Sequence, residues 1–405
     1  MPAIRWLNIH NIPAATAALR AVGVDPRGIP LMAGKAFSRA VLVSSVSAPA
    51  ALILKQAMLS FSGDAAIHRD VITGGRQESD VLLLGSHKQL LALEQKLRGQ
   101  PFGLRSIGAA VGDLLRKLAE RRERVVCCGG GRRLRLERGR PALMGILNVT
   151  PDSFSDGGSY ANAAAAAARG LEMEEEGAGV IDVGGESTRP GYRPVGAAEE
   201  WERLEPVLAA LRGRGALISV DTQKAAVAAK ALAAGAHILN DIWGLRGDPE
   251  MADAAAAGGA AVVLTHNRAA PAAGDVVADI MRFWDESAEI ALKAGLPPEA
   301  LIADPGIGFG KTAAQSLETL RRLEELAAYG LPLLLAASRK SVIGHAAGLG
   351  VEHRLEATLA VSVLAASAGA DILRVHDVAA HRRALDMAAA MRPEWGSGEG
   401  ETDDQ

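Results

Sequence analysis

Short apolar runs that end in polar residues recur along the chain from residue 142 onwards. Each run suits a buried β-strand, and segments with apolar residues at helical spacing follow most of them. The eight runs are 142–147, 180–183, 217–220, 236–239, 260–264, 301–303, 331–335 and 372–373. Eight strands spread over roughly 250 residues are typical of a (β/α)8 barrel. The pattern therefore predicts an α/β fold with a TIM barrel, and an open doubly wound sheet is the alternative.

The connecting segments predict helices that end close to glycine residues. The predicted helices are 162–176, 199–212, 224–234, 276–294, 316–329 and 352–368. Glycine commonly ends a helix because it adopts the left-handed conformation without strain. The glycines in that position are Gly213, Gly235, Gly295, Gly330 and Gly369. Because polar residues follow every strand, we expect the sheet to close around one shared mouth at the carboxyl ends of the strands.

A hairpin pattern precedes the first of these strands. Residues 124–128 and 132–137 are two short strand-like runs around a run of three glycines. We expect this hairpin to close the base of the barrel. The predicted barrel domain covers residues 123–393, and the glycine-rich acidic tail, 394–405, is predicted to be disordered.

Residues 1–122 predict a separate small α/β domain. Strand patterns lie at 40–43 and 81–84, and helix patterns lie at 50–60, 88–98 and 104–119. Its polar residues show no spacing that matches a known chemistry, although Lys35, Lys55, Asp64 and His68 are candidates. We therefore expect a packing or oligomerisation module, with a second enzyme as the alternative.

The composition is typical of a globular protein: the 405 residues are 49% hydrophobic and 22% charged. The net charge of -3 argues against a nucleic-acid partner. A membrane span and a signal peptide are both absent from the sequence pattern, so we expect a cytoplasmic protein. Cys127 and Cys128 are adjacent, which disfavours a disulfide between them, and we expect both to be buried as small hydrophobic residues.

Four polar residues at different strand ends predict a site for a flat heterocycle. They are Asp221, Asn240, Asp304 and Lys340, which follow the third, fourth, sixth and seventh strands. Carboxylates accept hydrogen bonds from ring amino groups, while the amide and the ammonium group complete the polar edge. Taken singly, each aspartate could instead be a helix cap or a loop carboxylate.

A second set of residues predicts an anion site of the phosphate or diphosphate type. Arg189, Arg374 and His376 supply donors and positive charge, and Asn148 and Thr188 supply neutral oxygens. Mg²⁺ would be held loosely there by one or two protein oxygens together with phosphate oxygens and water. Asn148, at the end of the first strand, is the expected metal ligand.

The run from Gly306 to Lys311 resembles a phosphate-binding loop only superficially. It lacks the glycine–lysine spacing of that loop, so we expect a tight turn between a strand and a helix. His266 follows the fifth strand and is either catalytic or a wall residue with a structural hydrogen bond.

Motifs at these strand ends resemble the dihydropteroate synthase family, in order and spacing, over about residues 124–392. The motifs are 148–158 (NVTPDSFSDGG), 182–191 (DVGGESTRPG), 220–222 (VDT), 240–243 (NDIW), 304–311 (DPGIGFGK), 338–341 (SRKS) and 374–377 (RVHD). The resemblance implies a transferase of folate biosynthesis, which condenses 6-hydroxymethyl-7,8-dihydropterin diphosphate with p-aminobenzoate to give 7,8-dihydropteroate and diphosphate. It also implies a Mg²⁺ cofactor, inhibition by sulfonamides, small-molecule partners and a homodimer.

The resemblance assigns roles to individual residues. Asp221, Asn240, Asp304 and Lys340 would hold the pterin, and Asn148, Arg374 and His376 would hold the diphosphate and Mg²⁺. The residues assigned to the p-aminobenzoate side are Phe154 and Asp156 in the loop 150–158, then Ser187, Thr188, Arg189, Pro190, Lys340 and Ser341. The expected catalytic set is Asp221, Asp304, Lys340, Arg374, His376, Asp156 and Arg189.

The sequence departs from the family pattern at the wall of the predicted pterin pocket. Thr265 and Asn267 flank His266 where the family often has methionines, and Ile307 and Val342 stand where phenylalanines are common. Two alternatives stay open: a pterin-binding methyltransferase of the corrinoid type, and an inactive paralogue that acts as a partner subunit.

Overall fold

The computed structural model of the chain divides it into two units, residues 1–121 and 122–405. The structure describes residues 4–9, 11–119, 123–137, 139–149, 159–186, 194–270 and 273–392. The predicted disordered tail, 394–405, lies outside these ranges, so its state stays a prediction.

The first unit is a three-stranded antiparallel sheet with helices. Its elements are α1 Ile12–Ala21, α2 Ile29–Ala33, β1 Ser38–Ser47, α3 Ala48–Ser60, β2 Asp64–Ile67, β3 Glu78–Ser86, α4 His87–Leu97 and α5 Leu104–Ala119. The strands lie in the order β1-β3-β2. Alternate residues of β3, such as Val81 and Leu83, are fully buried in a core that includes Leu54 of α3 and Leu90 of α4. This unit therefore has a hydrophobic core of its own.

The small α/β domain was predicted correctly in type but not in every element. The sequence analysis missed α1, α2 and β2, and Asp64 begins the last of these. The candidate polar residues form ordinary surface contacts: Lys55 Nζ lies 3.4 Å from Asp64 Oδ1 and donates to Ala65 O at 2.9 Å. His68 Nδ1 accepts from the backbone N–H of Asp70 at 3.2 Å.

The second unit begins with the predicted hairpin. Its strands are β4 Glu123–Cys127 and β5 Arg133–Glu137, which pair antiparallel. The buried side chains of Val126, Leu134 and Leu136 belong to one apolar cluster with the first residues of the barrel strands, such as Val180 and Leu217. The hairpin therefore covers the amino ends of those strands, as predicted.

The two cysteines of the hairpin are free thiols with different surroundings. Cys128 is buried, and burial raises the pKa of its thiol to about 11. Cys127 is only half-buried. The expectation of two buried hydrophobic cysteines is therefore correct for Cys128 alone.

The eight predicted apolar runs form one parallel sheet in the second unit. The strands are β6 Ala142–Asn148, β7 Val180–Gly184, β8 Leu217–Asp221, β9 Ile238–Asp241, β10 Ala261–Thr265, β11 Leu301–Asp304, β12 Leu334–Leu335 and β13 Ile372–Val375. Neighbouring strands pair from β11 through β10, β9, β8, β7, β6 and β13 to β12. A parallel bridge between Ala303 and Leu333 joins the ends of this order, and Ala303 N donates to Pro332 O at 2.8 Å. The sheet is therefore a closed barrel, and the open doubly wound alternative is wrong.

Helices follow the strands. They are α6 Ser159–Glu175, α7 Ala197–Leu211, α8 Ala225–Ala233, α9 Met251–Ala257, α10 Val276–Lys293, α11 Ala313–Arg321, α12 Leu323–Ala327, α13 Ser341–Ala347, α14 Leu355–Ala368 and α15 Val378–Ala390. The five predicted glycines all have a positive φ at the ends of helical segments. Among the described residues, no helix has the length and hydropathy of a membrane span.

The predicted helix 316–329 is in fact two helices, α11 and α12. The break lies at Arg322, whose φ of -107° and ψ of 24° depart from helical values. Its guanidinium binds Asp275, the N-cap of α10, at 2.7 and 3.1 Å, and Glu325 at 2.7 Å from two nitrogens. Helical periodicity could not reveal this break, because the contact that accompanies it lies 47 residues away in the chain.

A tight turn follows β11, as expected for the glycine-rich run 306–311. Gly306 has a φ of 64°, and a Cβ atom at this position would lie 1.9 Å from the carbonyl oxygen of His266. Glycine is therefore required at residue 306 by both the backbone conformation and the close approach of another backbone segment.

We expect Gly306→Ala to lower the free energy of unfolding by about 3 kcal/mol or more, because the added methyl group would collide with His266 O. Gly308→Ala is the matched control. Gly308 also has a positive φ, 84°, but its added Cβ would meet only Lys340 Cδ at 3.8 Å. The control should lose about 1–2 kcal/mol from backbone strain alone. Urea unfolding measures both values, and equal losses would contradict the steric explanation.

Candidate active site

The carboxyl ends of four neighbouring strands bring predicted site residues into one row. In the strand register Asn148 pairs with Gly184, Gly184 with Asp221, and Asp221 with Asn240. A Cβ on Gly184 would lie 3.5 Å from Asp221 Cβ and 3.8 Å from Asn148 Oδ1. The glycine therefore leaves open space between these two side chains, at the mouth of the barrel.

Arg374 connects this row to the last strand. Its Nε donates to Asp182 Oδ2 at 2.5 Å, and its Nη2 donates to Asp221 Oδ2 at 2.7 Å. Asn240 Nδ2 donates to the same oxygen of Asp182 at 2.9 Å. The pairing of β13 with β6 permits this contact, because it places β13 two strands from β7. Arg374 is thus joined to residues expected to hold the heterocycle, while its expected contact with diphosphate stays a prediction.

Asp182 is the residue that the sequence analysis missed. It was quoted within a motif but given no role, although it is fully buried and binds both Arg374 and Asn240. The available signal was a carboxylate in the middle of an otherwise apolar strand, β7. A buried charge needs a partner of opposite charge, and that partner lies 192 residues further along the chain.

The two carboxylates keep hydrogen-bonding capacity. Among the described residues, neither Asp182 Oδ1 nor Asp221 Oδ1 has a hydrogen-bond partner, and both atoms are buried. Burial raises the pKa of Asp221, while the charge of Arg374 opposes this shift. The carboxylate thus depends on Arg374 for its ionised form, and its free oxygen can accept a hydrogen bond from a ligand.

The side chains of Asp304 and Lys340 both form hydrogen bonds with the backbone of the glycine-rich turn after β11. Asp304 Oδ1 accepts from Gly306 N at 2.7 Å, and Lys340 Nζ donates to Ile307 O at 2.6 Å. Lys340 Nζ also lies 4.6 Å from the centre of the Phe309 ring. Burial raises the pKa of Asp304, which the charge of Lys340 opposes, and burial lowers the pKa of Lys340 to about 8. The turn therefore determines where both side chains lie.

Both ring nitrogens of His266 contact side chains of the protein. Its Nε2 lies 3.1 Å from Asp279 Oδ2, and its Nδ1 lies 2.6 Å from Lys311 Nζ. Burial lowers the pKa of the His266 imidazole to about 4. Of the two interpretations offered by the sequence, these contacts favour a structural histidine.

The remaining predicted residues follow strands β12 and β13, at the same end of the barrel. His376 is half-buried, and its Nδ1 lies 3.0 Å from Ser338 Oγ. Ser341 is exposed and begins α13, with Lys340 as the N-cap residue. The backbone N–H of His376 also donates to Ser338 Oγ at 3.3 Å.

Six residues of the predicted site belong to segments outside the described ranges. Phe154, Asp156, Ser187, Thr188, Arg189 and Pro190 lie outside the described residues, so their roles stay predictions. The described residues on either side of 187–193 are tied together: Glu186 Oε1 accepts from Val195 N at 3.2 Å. Lys224 Nζ donates to Glu186 Oε2 and to Glu200 Oε2, at 2.5 Å each.

The expected Mg²⁺ ion stays a prediction. In the described ranges, no group of three or more histidine, cysteine, aspartate or glutamate side chains could hold a metal ion. Asn148 is half-buried beside the row of strand ends and offers one neutral oxygen. This donor set suits a hard cation only if other oxygens, such as those of phosphate and water, complete its shell.

Comparisons with known proteins agree with this geometry. The sequence model of the pterin binding enzyme family matches residues 144–376, more than half of the chain. A protein of Halobacterium salinarum, named "Probable bifunctional folylpolyglutamate synthase/dihydropteroate synthase", is 41% identical over 392 residues, 95% of this chain and 47% of that protein. The chain therefore spans about half the length of this relative, and the match includes most of the first unit.

Two further matches concern the barrel. The dihydropteroate synthase of Bacillus subtilis is 47% identical over 250 residues, 62% of this chain and 88% of that protein. The solved structure of Xanthomonas albilineans dihydropteroate synthase with 4-aminobenzoic acid has a TM-score of 0.63 and 44% identity, covering 67% of this chain and 98% of that one. The family match, these relatives and the mouth of the barrel agree: the chain belongs to the dihydropteroate synthase family of pterin-binding enzymes.

Proposed function

We propose that this protein is a dihydropteroate synthase, a transferase that joins the methylene group of 6-hydroxymethyl-7,8-dihydropterin diphosphate to the amine of p-aminobenzoate. The observation that carries the proposal is the cluster in which Arg374 binds Asp182 and Asp221 beside Asn240, with Asp304 and Lys340 at the same mouth. The relatives named above support this activity by their names and by their coverage of the barrel.

The pterin is the substrate that the buried polar groups suit. A pterin presents N–H donors and a carbonyl on a flat ring. Asp221 has a carboxylate oxygen without a partner in the described part of the chain, and Asn240 uses its Nδ2 on Asp182, so its amide oxygen is left as an acceptor. The ammonium group of Lys340 supplies a donor for an acceptor on the ring. A buried carboxylate oxygen of this kind is unfavourable unless a ligand or a water molecule donates a hydrogen bond to it.

The chemistry needs positioning and charge more than a covalent nucleophile. The bond between the methylene carbon and the diphosphate oxygen breaks, and its electron pair leaves with diphosphate. The carboxylates of Asp221 and Asp304 offset the positive charge that develops on the methylene group and the ring. The amine nitrogen of p-aminobenzoate then forms the new C–N bond and loses a proton. The free thiols, Cys127 and Cys128, lie on the hairpin at the opposite end of the strands.

Diphosphate and Mg²⁺ complete the proposal. Arg374 and His376 would neutralise the departing diphosphate, and Asn148 would contribute one oxygen to Mg²⁺, with the rest from diphosphate and water. Bound Mg²⁺ would supply charge stabilisation for the leaving group. The p-aminobenzoate slot would be formed by the loops 150–158 and 187–191 with Lys340 and Ser341, and a sulfonamide would compete for the same slot.

Assembly and location are further parts of the proposal. Exposed apolar side chains lie on two neighbouring helices: Leu364 on α14, and Met387 and Met391 on α15 and at its end. Their exposure supports a homodimer formed through these helices. The two free thiols are consistent with the reducing conditions of the cytoplasm, where we expect the protein to act.

A turnover assay tests the activity. Purified protein with Mg²⁺ and both substrates should form 7,8-dihydropteroate and diphosphate in equal amounts, and a chelator should stop turnover because the leaving group loses its counter-charge. Binding of 6-hydroxymethylpterin should survive chelation, since the pterin groups do not need the metal. The proposal is wrong if the folded protein binds pterin yet makes no product, and methyl transfer to a corrinoid would favour that alternative.

The Arg374 contacts predict that diphosphate and pterin binding are coupled. Arg374→Ala should weaken binding of the diphosphate substrate by about 3 kcal/mol or more, because it removes an anion contact and leaves Asp182 and Asp221 without a cation. Binding of 6-hydroxymethylpterin should also weaken. Arg374→Lys is the control that keeps the charge but lacks the fork that reaches both carboxylates, so its loss should be intermediate. Calorimetry with both ligands measures this, and unchanged pterin binding in the alanine variant would contradict the coupling.

The separate core of the first unit predicts that the barrel can work alone. All predicted site residues follow residue 141, so a truncated protein that begins at Arg122 should keep its turnover number within a few-fold. Its melting temperature or oligomeric state should be what changes. Steady-state kinetics beside the full chain test this. A folded truncation that is slower by about a hundredfold or more would mean that the first unit takes part in the reaction.

A further inference from the structure

A chain of four polar side chains lies directly behind the glycine turn. Arg268 donates to Asp279 through Nε at 2.8 Å and Nη2 at 2.6 Å. Asp279 Oδ2 contacts His266 Nε2 at 3.1 Å, and His266 Nδ1 contacts Lys311 Nζ at 2.6 Å. None of these residues belongs to the predicted substrate-binding set, so the substrate does not by itself explain why they are linked.

The donor and acceptor groups of these four side chains define where the protons lie. While Lys311 is protonated, its ammonium group only donates, so His266 Nδ1 accepts and Nε2 carries the proton that is donated to the Asp279 carboxylate. Lys311 Nζ also donates to Gly306 O at 3.0 Å and to Phe309 O at 3.3 Å. The three N–H groups of the ammonium therefore meet three acceptors: one imidazole nitrogen and two carbonyls of the turn.

The same turn carries the contacts of the proposed pterin groups. Asp304 Oδ1 accepts from Gly306 N, and Lys340 Nζ donates to Ile307 O, between the two carbonyls that Lys311 holds. Gly306, Gly308 and Gly310 all have a positive φ, so this backbone does not belong to a helix or a strand, and within the turn Phe309 N donates to Gly306 O at 3.0 Å. Lys311 adds side-chain bonds to two carbonyls of the turn.

We propose that Lys311 is a positioning residue of the pterin site, which, through His266 and the carbonyls of Gly306 and Phe309, holds the turn that orients Asp304 and Lys340. The inference rests on the proposed function, since it concerns the substrate of the same site. Lys311 acts on the substrate only through Asp304 and Lys340, and so is not a catalytic residue.

Electrostatics agree with a fixed rather than a mobile ammonium group. Burial lowers the pKa of Lys311 to about 7, and the carboxylates of Asp304 and Asp279 oppose that shift while Lys340 and Arg268 add to it. A lysine placed in this position against a desolvation penalty must be retained by its specific hydrogen bonds. Those bonds end on the turn and on the histidine behind it.

Lys311→Met tests the inference, because it keeps the length and apolar stem but removes all three donors. We expect the KM for the pterin diphosphate to rise about tenfold, with a similar loss of 6-hydroxymethylpterin affinity by calorimetry, while the KM for p-aminobenzoate changes little. Lys293→Met is the matched control, since that lysine pairs with Glu289 on the surface and is 80% exposed. It should leave every parameter unchanged.

Two outcomes would overturn the inference: an unchanged KM for the pterin substrate in Lys311→Met, or an equal loss for both substrates together with a lower melting temperature. If that variant does not fold, ¹⁵N NMR of the wild-type imidazoles is recorded between the pKa of His266, about 4, and the pKa of Lys311, about 7, where His266 is neutral and Lys311 is an ammonium group. His266 must be neutral with its proton on Nε2, and a proton on Nδ1 overturns the proposal. Pterin affinity is measured without turnover, so failure of the proposed reaction in wild type stays separate from failure of this inference.

Discussion

One guanidinium group compensates two buried carboxylates at the mouth of the barrel. Arg374 on β13 binds Asp182 on β7 and Asp221 on β8, and the interaction depends on the pairing that places the last strand, β13, beside the first, β6. An aspartate this deeply buried would be protonated, or would destabilise the fold, without a cation beside it. The ion pairs therefore link this pairing of strands to the charge state of the site.

Arg374 does not occupy every oxygen of the two carboxylates, which leaves acceptors for a ligand. Each carboxylate binds Arg374 through one oxygen and leaves the other without a partner among the described residues. Asn240 is oriented by Asp182 in the same network. A site with fixed, buried acceptors recognises a ligand that brings donors, because a ligand lacking them would leave those acceptors unsatisfied. The polar core of the mouth thus favours a ring with several N–H groups.

The opposite side of the mouth is organised by backbone geometry. The turn after β11 needs glycines with positive φ, and its carbonyl groups are held by two lysines, Lys311 and Lys340. Burial lowers the pKa of both ammonium groups. Their attachment to carbonyl oxygens fixes charges that a solvated lysine would leave mobile. Pre-organised charge of this kind suits a reaction in which a diphosphate departs and a cation forms.

Local patterning determined the barrel and much of its polar mouth. Apolar runs, helical spacing and glycine stops predicted the eight strands and most of the helices, because each depends on residues close together in the chain. The polar residues at the strand ends were expected to meet, and Asn148, Asp221 and Asn240 do lie in one row. The elements that were missed include α1, α9 and the break at Arg322, and the break accompanies a contact with a residue 47 positions away.

Only the tertiary structure decided how the polar residues pair. The sequence placed Arg374 with the diphosphate and gave Asp182 no role, whereas the fold joins the two side chains across 192 residues. It also left His266 between a catalytic and a structural role, which Asp279 and Lys311 resolve in favour of the structural one. Strand ends can be read from apolar runs that end in polar residues, but the partner of a buried charge depends on which strands become neighbours, and that is a property of the tertiary fold.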